Sequence, residues 1–236
     1  MFYFDIVAGK KIVKSDLLSK EEVEHFFTTR EFCLYSKTDD MSHNQKILEK
    51  YLEEIPATNQ PVHGVHIEKV TDNKKFYEET DGLLIEKKGS SFMNFGDCVP
   101  LIFYCNKVAM TSHAGWHGTA QSMAKVSIKK LVDDYRFNPK DIKVVIGPAI
   151  CKNCYNVGED VYEDLYKTVA NPKNLFEKKD GKFFVDLKGI NKQQLIECGV
   201  EKIDVCPYCT ACGEKLFFSY RYENHTGYRH SAVVKL

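Results

Sequence analysis

A thiol and two imidazoles occupy positions from which the chain could gather them into one site. Cys98 begins an apolar segment at 99–104, and His113 follows a second one at 108–110. If these segments pair as an antiparallel hairpin, Cys98 and His113 lie side by side at one rim of a sheet. Zinc binds thiolate sulfur and imidazole nitrogen readily, and three protein ligands leave its fourth position open for water or substrate. With His63 as the third ligand, these residues are a candidate catalytic zinc site.

The same side chains permit two interpretations without a metal. A histidine beside Cys98 would stabilise the thiolate and make it a nucleophile, with His113 as the partner. His63 or Asp97 would then orient the imidazole. In the simplest interpretation, Cys98 is a buried apolar residue and His113 is a hydrogen-bonded core histidine.

A second group of thiols has the spacing of a metal site. The chain has 9 cysteines, and this odd number excludes complete pairing in disulfides. Five of them fall in two short runs, Cys151-x-x-Cys154 and Cys206-x-x-Cys209-x-x-Cys212. The spacing suits a structural zinc ion or an iron–sulfur cluster. Four ligands suffice for a tetrahedral ion, so five thiols leave the ligand set open, and a group of reduced thiols is the alternative.

Arginine is scarce in this chain whereas lysine is abundant. The four arginines are Arg30, Arg136, Arg221 and Arg229. The planar guanidinium suits phosphate and carboxylate groups, which makes each arginine a candidate anion ligand. A surface ion pair is the alternative for any one of them.

Strands in runs, with helices between them, must position these residues. The pattern predicts a strand from 60 to 70, which would place His63 and His66 on opposite faces. It predicts one amphipathic helix from 118 to 135, and it predicts that 217–221 and 231–235 close the sheet. This order favours a single mixed α/β domain with substantial antiparallel sheet.

The composition excludes several classes of protein. The chain has 236 residues, 43% of them hydrophobic, which can build a full core, and its formal net charge is zero. A zero net charge argues against a broad nucleic-acid-binding surface. No apolar run is long enough to cross a membrane, and the first residues do not resemble a signal peptide. We therefore expect a cytoplasmic protein that binds neither nucleic acid nor membrane.

Short motifs are distributed along the chain from Phe27 onward. They are Phe27-Thr-Thr-Arg30, Val62-His63-Gly64, Asp97-Cys98-Val99-Pro100, His113-Ala-Gly-Trp116 with Gly118, Ile146-Gly-Pro148, Tyr155-Asn-Val-Gly158, Cys209-Thr210 and Phe218-Ser-Tyr-Arg221. Together these motifs resemble the laccase-domain (YfiH-like) family, whose members are known as polyphenol oxidases and as purine nucleoside phosphorylases.

The resemblance implies a fold, an activity and a ligand set. The fold implied is α+β, a single domain over 1–236 built as a layered α/β/β/α sandwich with mixed sheets. The activity implied is phosphorolysis of adenosine, inosine and methylthioadenosine, with some adenosine deamination. The family's metal ligands fall on His63, Cys98 and His113, the same three residues reached above. The metal would be zinc, although copper can bind such a site tightly in vitro.

The remaining site residues follow from the residue types. The partners would be a purine nucleoside and phosphate, and the sequence is also compatible with a homodimer. We expect phosphate to be held by Arg30, Arg221 or Arg229, with His117 as a further phosphate ligand when it is protonated, and protons to be handled by Asp97 or His117.

The chain departs from the family pattern on the anion-binding side. His117 stands where the family usually has arginine, and Tyr228 displaces Arg229 by one position. An extra Pro61 precedes the segment of His63. The oxidase name fits the composition poorly, because a multicopper oxidase needs many histidines, typically in His-x-His pairs. This chain has 8 histidines, none of them in such a pair.

Three hypotheses follow. The leading one is a zinc-dependent purine nucleoside phosphorylase. The second is a metal-independent cysteine hydrolase or amidase that uses Cys98 and His113. The third is a non-catalytic zinc or iron–sulfur protein built around the later cysteines.

Overall fold

Two six-stranded sheets packed face to face form the centre of the protein. The structure is a computed structural model that describes residues 1–35, 41–213 and 215–236. Helices cover the outer face of each sheet, so the order of layers is α/β/β/α. The predicted mixed α/β sandwich is therefore confirmed.

The strands are numbered in chain order. They are β1 (Phe2–Val7), β2 (Lys10–Ser15), β3 (Glu24–Thr28), β4 (Leu34–Tyr35), β5 (Thr58–Asn59), β6 (Ile67–Lys69), β7 (Phe76–Tyr77), β8 (Gly82–Glu86), β9 (Ser90–Phe95), β10 (Val99–Cys105), β11 (Val108–Ala114), β12 (Lys143–Ile146), β13 (Asn156–Val157), β14 (Phe176–Lys179), β15 (Lys182–Val185), β16 (Lys202–Val205) and β17 (Tyr228–Lys235).

The helices are short. They are α1 (Asp16–Ser19), α2 (Met41–Leu52), α3 (Trp116–Ala120), α4 (Met123–Tyr135), α5 (Glu159–Tyr166) and α6 (Leu187–Glu197). Across the described ranges, no helix combines the length and the apolar character needed to span a lipid bilayer.

The first sheet is antiparallel and has β17 at its centre. Its order is β1-β2-β3-β17-β4, and β9 also pairs with β17. Successive residues of a strand face opposite sides of the sheet. In β3, Phe27 accordingly lies in the core between the sheets, whereas Phe26 packs with Leu48 and Leu52 of α2 on the outer face.

The second sheet carries the candidate site. Its order is β16-β12-β10-β11-β8-β6, with the β12–β16 and β6–β8 pairs parallel and the other pairs antiparallel. In β10, Ile102 faces the first sheet and Phe103 faces the helical layer. Both side chains are fully buried, as expected for a central strand covered on both faces.

The hairpin of β10 and β11 forms as predicted. Asn106 and Lys107 have φ values of 43° and 60°, and a two-residue turn with both φ values positive matches the right-handed twist of the strands it joins. The register places Pro100 opposite His113 and Val99 opposite Ala114. Cys98 therefore lies at the rim of the sheet, one residue before β10.

Three local predictions were wrong. Of the predicted strand 60–70 only β6 forms, after the short strand β5. His63 lies between β5 and β6 and has φ of 61°, which no strand accommodates. The predicted helix 118–135 begins earlier and is divided into α3 and α4, because Ser122 has φ of 62°. Residues 217–221 form a loop and not a strand, although Phe217 and Phe218 are buried.

Candidate active site

The rim of the second sheet brings together His63, Cys98 and His113. One ligand atom of each residue lies within 4.8 Å of the ligand atoms of the other two. The imidazole rings of His63 and His113 meet edge to face, with 4.9 Å between their centroids. His113 is buried, Cys98 is half-buried and His63 is exposed, so the group is open to solvent on the side of His63. We call these three residues the His-Cys-His site.

Each residue reaches the His-Cys-His site from a different kind of backbone. His113 is the last residue but one of β11, and Cys98 enters β10 after Gly96 and Asp97. His63 comes from the irregular segment between β5 and β6, where its left-handed conformation turns the chain. Such a conformation is costly for a residue with a Cβ and persists only where neighbouring groups hold it.

Asp81 is the group that holds this segment. Its carboxylate accepts hydrogen bonds from the backbone N–H groups of Val62, His63 and Gly64, at 3.3, 3.0 and 2.8 Å. The same carboxylate receives the Nδ1 of His113 at 3.3 Å. One fully buried carboxylate therefore fixes both histidines, and it leaves the Nε2 side of His113 to face Cys98.

The hydrogen bonds to Asp81 keep it ionised. Burial alone would raise the pKa of Asp81, but the hydrogen bond and positive charge of His113 and the N–H groups of Gly64 and Val62 lower it. A carboxylate that orients a histidine through the other ring nitrogen is the usual outer partner of a metal ligand.

Cys98 and His113 form a strongly coupled pair. Burial raises the pKa of the Cys98 thiol, but the charge on His113 and hydrogen bonds from both imidazoles outweigh burial and lower it. Burial would lower the pKa of His113, but the Cys98 thiolate and Asp81 outweigh burial and raise it. The metal-free chain thus favours a thiolate beside an imidazolium.

The local packing also suits a bound metal ion. A methyl group at Gly115 would lie 3.0 Å from Cys98 Sγ and 3.1 Å from His63 Cδ2. The absence of a side chain at Gly115 therefore leaves the space in which the three donors converge. One thiolate and two imidazoles at this spacing match the donor set of a zinc site with an open position.

Asp97 lies beside Cys98, and both of its carboxylate oxygens accept hydrogen bonds from the loop before β17. Its Oδ1 accepts from Thr210 Oγ1 at 2.6 Å, and its Oδ2 accepts from Ser219 Oγ at 3.1 Å and from the backbone N–H of Arg221 at 2.7 Å. Asp97 thus anchors a wall of the site. Its predicted role in proton transfer stays a prediction.

The three predicted phosphate ligands have different surroundings. Arg30 donates to Glu223 Oε1 and to the Phe217 carbonyl, each at 2.7 Å. Arg221 is exposed and donates to the Asn156 carbonyl at 2.9 Å.

Arg229 is the predicted phosphate ligand whose charge is coupled to the His-Cys-His site. It is half-buried, and its side chain passes over Gly96, where a methyl group would lie 3.1 Å from Nε. Burial lowers the pKa of Arg229, opposed by the negative charges of Cys98, Tyr220 and Asp97. The Cys98 thiolate therefore lies within electrostatic reach of this guanidinium.

His117 faces a different part of the surface. Its ring stacks on Trp116, with 3.4 Å between the centroids. Both line a groove of about 670 Å³ formed by residues of α3, α4 and the end of α5, including Lys125 and Lys167. The structure does not place His117 in the His-Cys-His site.

Comparison with known proteins identifies the family. Residues 33–236 match the family described as multi-copper polyphenol oxidoreductase laccase. The chain belongs to this family. The resemblance predicted from the motifs is therefore confirmed.

Relatives within the laccase family are named as enzymes of nucleoside metabolism. The chain is 34% identical over 191 residues to purine nucleoside phosphorylase YlmD of Geobacillus stearothermophilus, covering 74% of this chain and 70% of that protein. It is 28% identical over 159 residues to adenosine deaminase RL5 of an unknown prokaryotic organism, covering 64% and 60%. The crystal structure of the hypothetical protein YfiH of Bacillus licheniformis superposes with a TM-score of 0.89 and 26% identity, covering 99% of this chain and 98% of that chain.

Two residues of this laccase-family site were missed in the sequence. Asp81 precedes a glycine, a pattern that is typical of an ordinary turn residue. Only the fold shows that its carboxylate accepts hydrogen bonds from three backbone N–H groups. Tyr155 is buried, and its pKa is raised by burial and, to a smaller extent, by the negative charge of Cys98. Its position in a motif of the family was the one signal that could have found it.

Proposed function

We propose that this protein is a purine nucleoside phosphorylase that binds zinc through His63, Cys98 and His113 and acts on adenosine, inosine and methylthioadenosine. The observation that carries the proposal is the convergence of these three donors at a solvent-accessible rim. The names of the relatives, which include a purine nucleoside phosphorylase and an adenosine deaminase, support the choice of substrate.

The chain's own residues prepare the His-Cys-His site for a cation. Asp81 holds one proton of the His113 imidazolium on Nδ1, so loss of the other proton leaves Nε2 as the free donor that faces Cys98. A zinc ion held there would act as a Lewis acid on the oxygen atoms of phosphate or water. The exposed side of His63 leaves a path along which a substrate can enter.

Phosphate binding is assigned in this proposal to the arginines near Cys98. In phosphorolysis a phosphate oxygen bonds to C1′ of the ribose, the C1′–N9 bond breaks, and its electron pair leaves with the purine. Arg221 lies in the loop that Asp97 anchors, and Arg229 follows this loop in β17. Their charges would hold the phosphate dianion for this attack. Arg30 as a phosphate ligand stays a prediction that requires the release of Glu223.

The test is release of purine base from inosine and adenosine with and without phosphate. We expect phosphate-dependent release that forms ribose 1-phosphate, and a loss of about 100-fold or more in kcat/KM for Cys98→Ala. Cys198→Ala, which changes a cysteine at the end of α6, is the matched control. Ammonia release from adenosine, measured in the same samples, reports deamination. Release that does not depend on phosphate, or full activity in Cys98→Ala, would overturn the proposal.

A metal-independent cysteine hydrolase is the second candidate. It is favoured by the Cys98–His113–Asp81 arrangement, in which a thiolate, a base and an orienting carboxylate follow one another as in nucleophilic catalysis. Activity that survives exhaustive chelation but is abolished by a thiol alkylator would support this candidate. Activity that disappears on chelation and returns with zinc would support the phosphorylase.

A further inference from the structure

Four cysteines from two separate loops meet on the surface beside the active site. The Sγ atoms of Cys151, Cys154, Cys209 and Cys212 all lie within 4.8 Å of one another. Three of these residues are half-buried and Cys212 is exposed. All four are free thiols. We call them the four-cysteine cluster.

The topology of the second sheet creates this cluster. β12 and β16 are parallel neighbours, so the loops that follow them leave the same edge of the sheet. Ala149 and Cys209 form a further bridge between these loops. Each loop contributes one Cys-x-x-Cys pair to the cluster, and the first pair contains a single 3-10 turn at Lys152–Cys154. Two such pairs facing one another are the usual framework of a four-cysteine zinc site.

The sulfur spacing fits one tetrahedral ion. The Sγ atoms of Cys151 and Cys212 are 3.8 Å apart, well beyond the bond length of about 2.05 Å in a disulfide. A tetrahedral zinc ion with Zn–S bonds of about 2.3 Å separates its sulfur ligands by about 3.8 Å. A four-iron cluster places each cysteine on a different iron atom and needs a wider arrangement. The cluster is therefore built for a single soft cation.

Backbone N–H groups already point at one of the sulfurs. The N–H groups of Cys151 and Ala211 donate to Cys209 Sγ at 3.2 and 3.3 Å. Hydrogen bonds of this kind stabilise a thiolate, and they orient the ligand before a metal binds.

The structure also shows which of the five cysteines in the two sequence runs lies outside the four-cysteine cluster. Cys206 is fully buried and does not belong to the cluster. Its carbonyl accepts a hydrogen bond from Lys188 Nζ at 2.7 Å. Cys206 is therefore a core residue, and the remaining four of the five cysteines form a single candidate ligand set.

We propose that Cys151, Cys154, Cys209 and Cys212 bind one structural zinc ion, which links the two loops that line the active site. One loop continues from the cluster into Tyr155, and the other contains Thr210, which donates to Asp97. Between the loops, Tyr222 donates to the Cys154 carbonyl at 3.0 Å and Arg221 donates to the Asn156 carbonyl at 2.9 Å. The zinc ion adds a stronger link at the place where the loops separate.

The experiment removes the other metal site first. A full-length Cys98→Ala/His113→Ala protein keeps the four-cysteine cluster and lacks two ligands of the His-Cys-His site. We expect about one zinc ion per chain after purification without added metal, and the visible absorption of a tetrahedral cobalt–thiolate complex after exchange with Co²⁺. Adding Cys154→Ser and Cys209→Ser should reduce bound zinc at least tenfold, whereas adding Cys33→Ser should not change it.

A thiol count keeps the test decisive if the serine variant does not fold. In the native Cys98→Ala/His113→Ala protein, a chelator should expose four additional thiols to a thiol reagent, and excess zinc should protect them again. A folded protein without zinc and without the cobalt–thiolate spectrum would overturn the proposal. Disulfides found within the cluster by mass spectrometry under non-reducing conditions would also overturn it.

Discussion

Replacement of Asp81 by asparagine tests how the His-Cys-His site is held. Asp81 Oδ1 receives His113 Nδ1 and the N–H of His63, and Oδ2 receives the N–H groups of Val62 and Gly64. Asparagine has one acceptor oxygen, so its NH₂ group must face one of these two sets of donors. If the NH₂ group faces His113, Nδ1 becomes an acceptor and the proton moves to Nε2, where it blocks metal binding.

Either orientation of asparagine removes at least one hydrogen bond to a charged group, worth about 1.5–3 kcal/mol. This range corresponds to a factor of about 13 to 160, which overlaps the 10- to 100-fold loss of metal affinity that is usual when an outer carboxylate partner is lost. We therefore expect the zinc dissociation constant of the His-Cys-His site to rise by about 10- to 100-fold in Asp81→Asn.

The assay is competition for zinc with a chromophoric chelator. Wild type, Asp81→Asn and the control Asp72→Asn are compared, since Asp72 is an exposed turn residue and the four-cysteine cluster is common to all three proteins. An affinity of Asp81→Asn within about twofold of wild type, in a folded protein, would refute the reasoning.

Three further predictions concern packing, pH and a buried lysine. Gly115→Ala places a methyl group against Cys98 and His63, so the zinc affinity of the His-Cys-His site should fall by about tenfold or more. The same competition assay measures this affinity, and an unchanged value would contradict the prediction. Burial lowers the pKa of His25 from 6.5 to about 4. As pH falls below about 6.5, His25 is therefore protonated in the unfolded chain but stays neutral in the folded chain, which lowers the free energy of unfolding. From neutral pH to about pH 5, wild type should lose about 2 kcal/mol more unfolding free energy than His25→Gln, measured by urea denaturation; parallel pH profiles would contradict this. Lys188→Met leaves the buried carbonyl of Cys206 and the half-buried carbonyl of Tyr208 without their donor and should cost about 2–4 kcal/mol of unfolding free energy. Lys188→Arg is the control, and a loss below about 0.5 kcal/mol would show that the carbonyls find other donors.

The core of the fold was predictable because its signals are local. The two apolar segments and the short turn after Cys105 predict the hairpin that sets Cys98 near His113. The position of His63 was not predictable in the same way. Its segment resembles a strand, but hydrogen bonds from its backbone to Asp81, which is distant in sequence, stabilise a left-handed turn instead.

The difference between local signals and long-range contacts also explains which outer parts of the site could be predicted. The Cys-x-x-Cys spacing predicts metal binding, but it does not identify Cys206 as the thiol to exclude, since that depends on which face of the loop enters the core. The segment 217–221 is apolar enough for a strand. It forms a loop because Ser219 and the backbone of Arg221 are held by Asp97, a contact that no periodicity reveals.

The central place of β17 also governs the order in which the chain can fold. Ala232 lies between Phe27 and Met93, so the first sheet acquires its middle strand only after segments far apart in sequence have met. Closing so long a loop is slow, whereas the β10–β11 hairpin closes through a two-residue turn and forms on a timescale of about microseconds. In refolding followed by pulsed hydrogen exchange, amide protection should therefore arise first in 99–114 and last in 228–235.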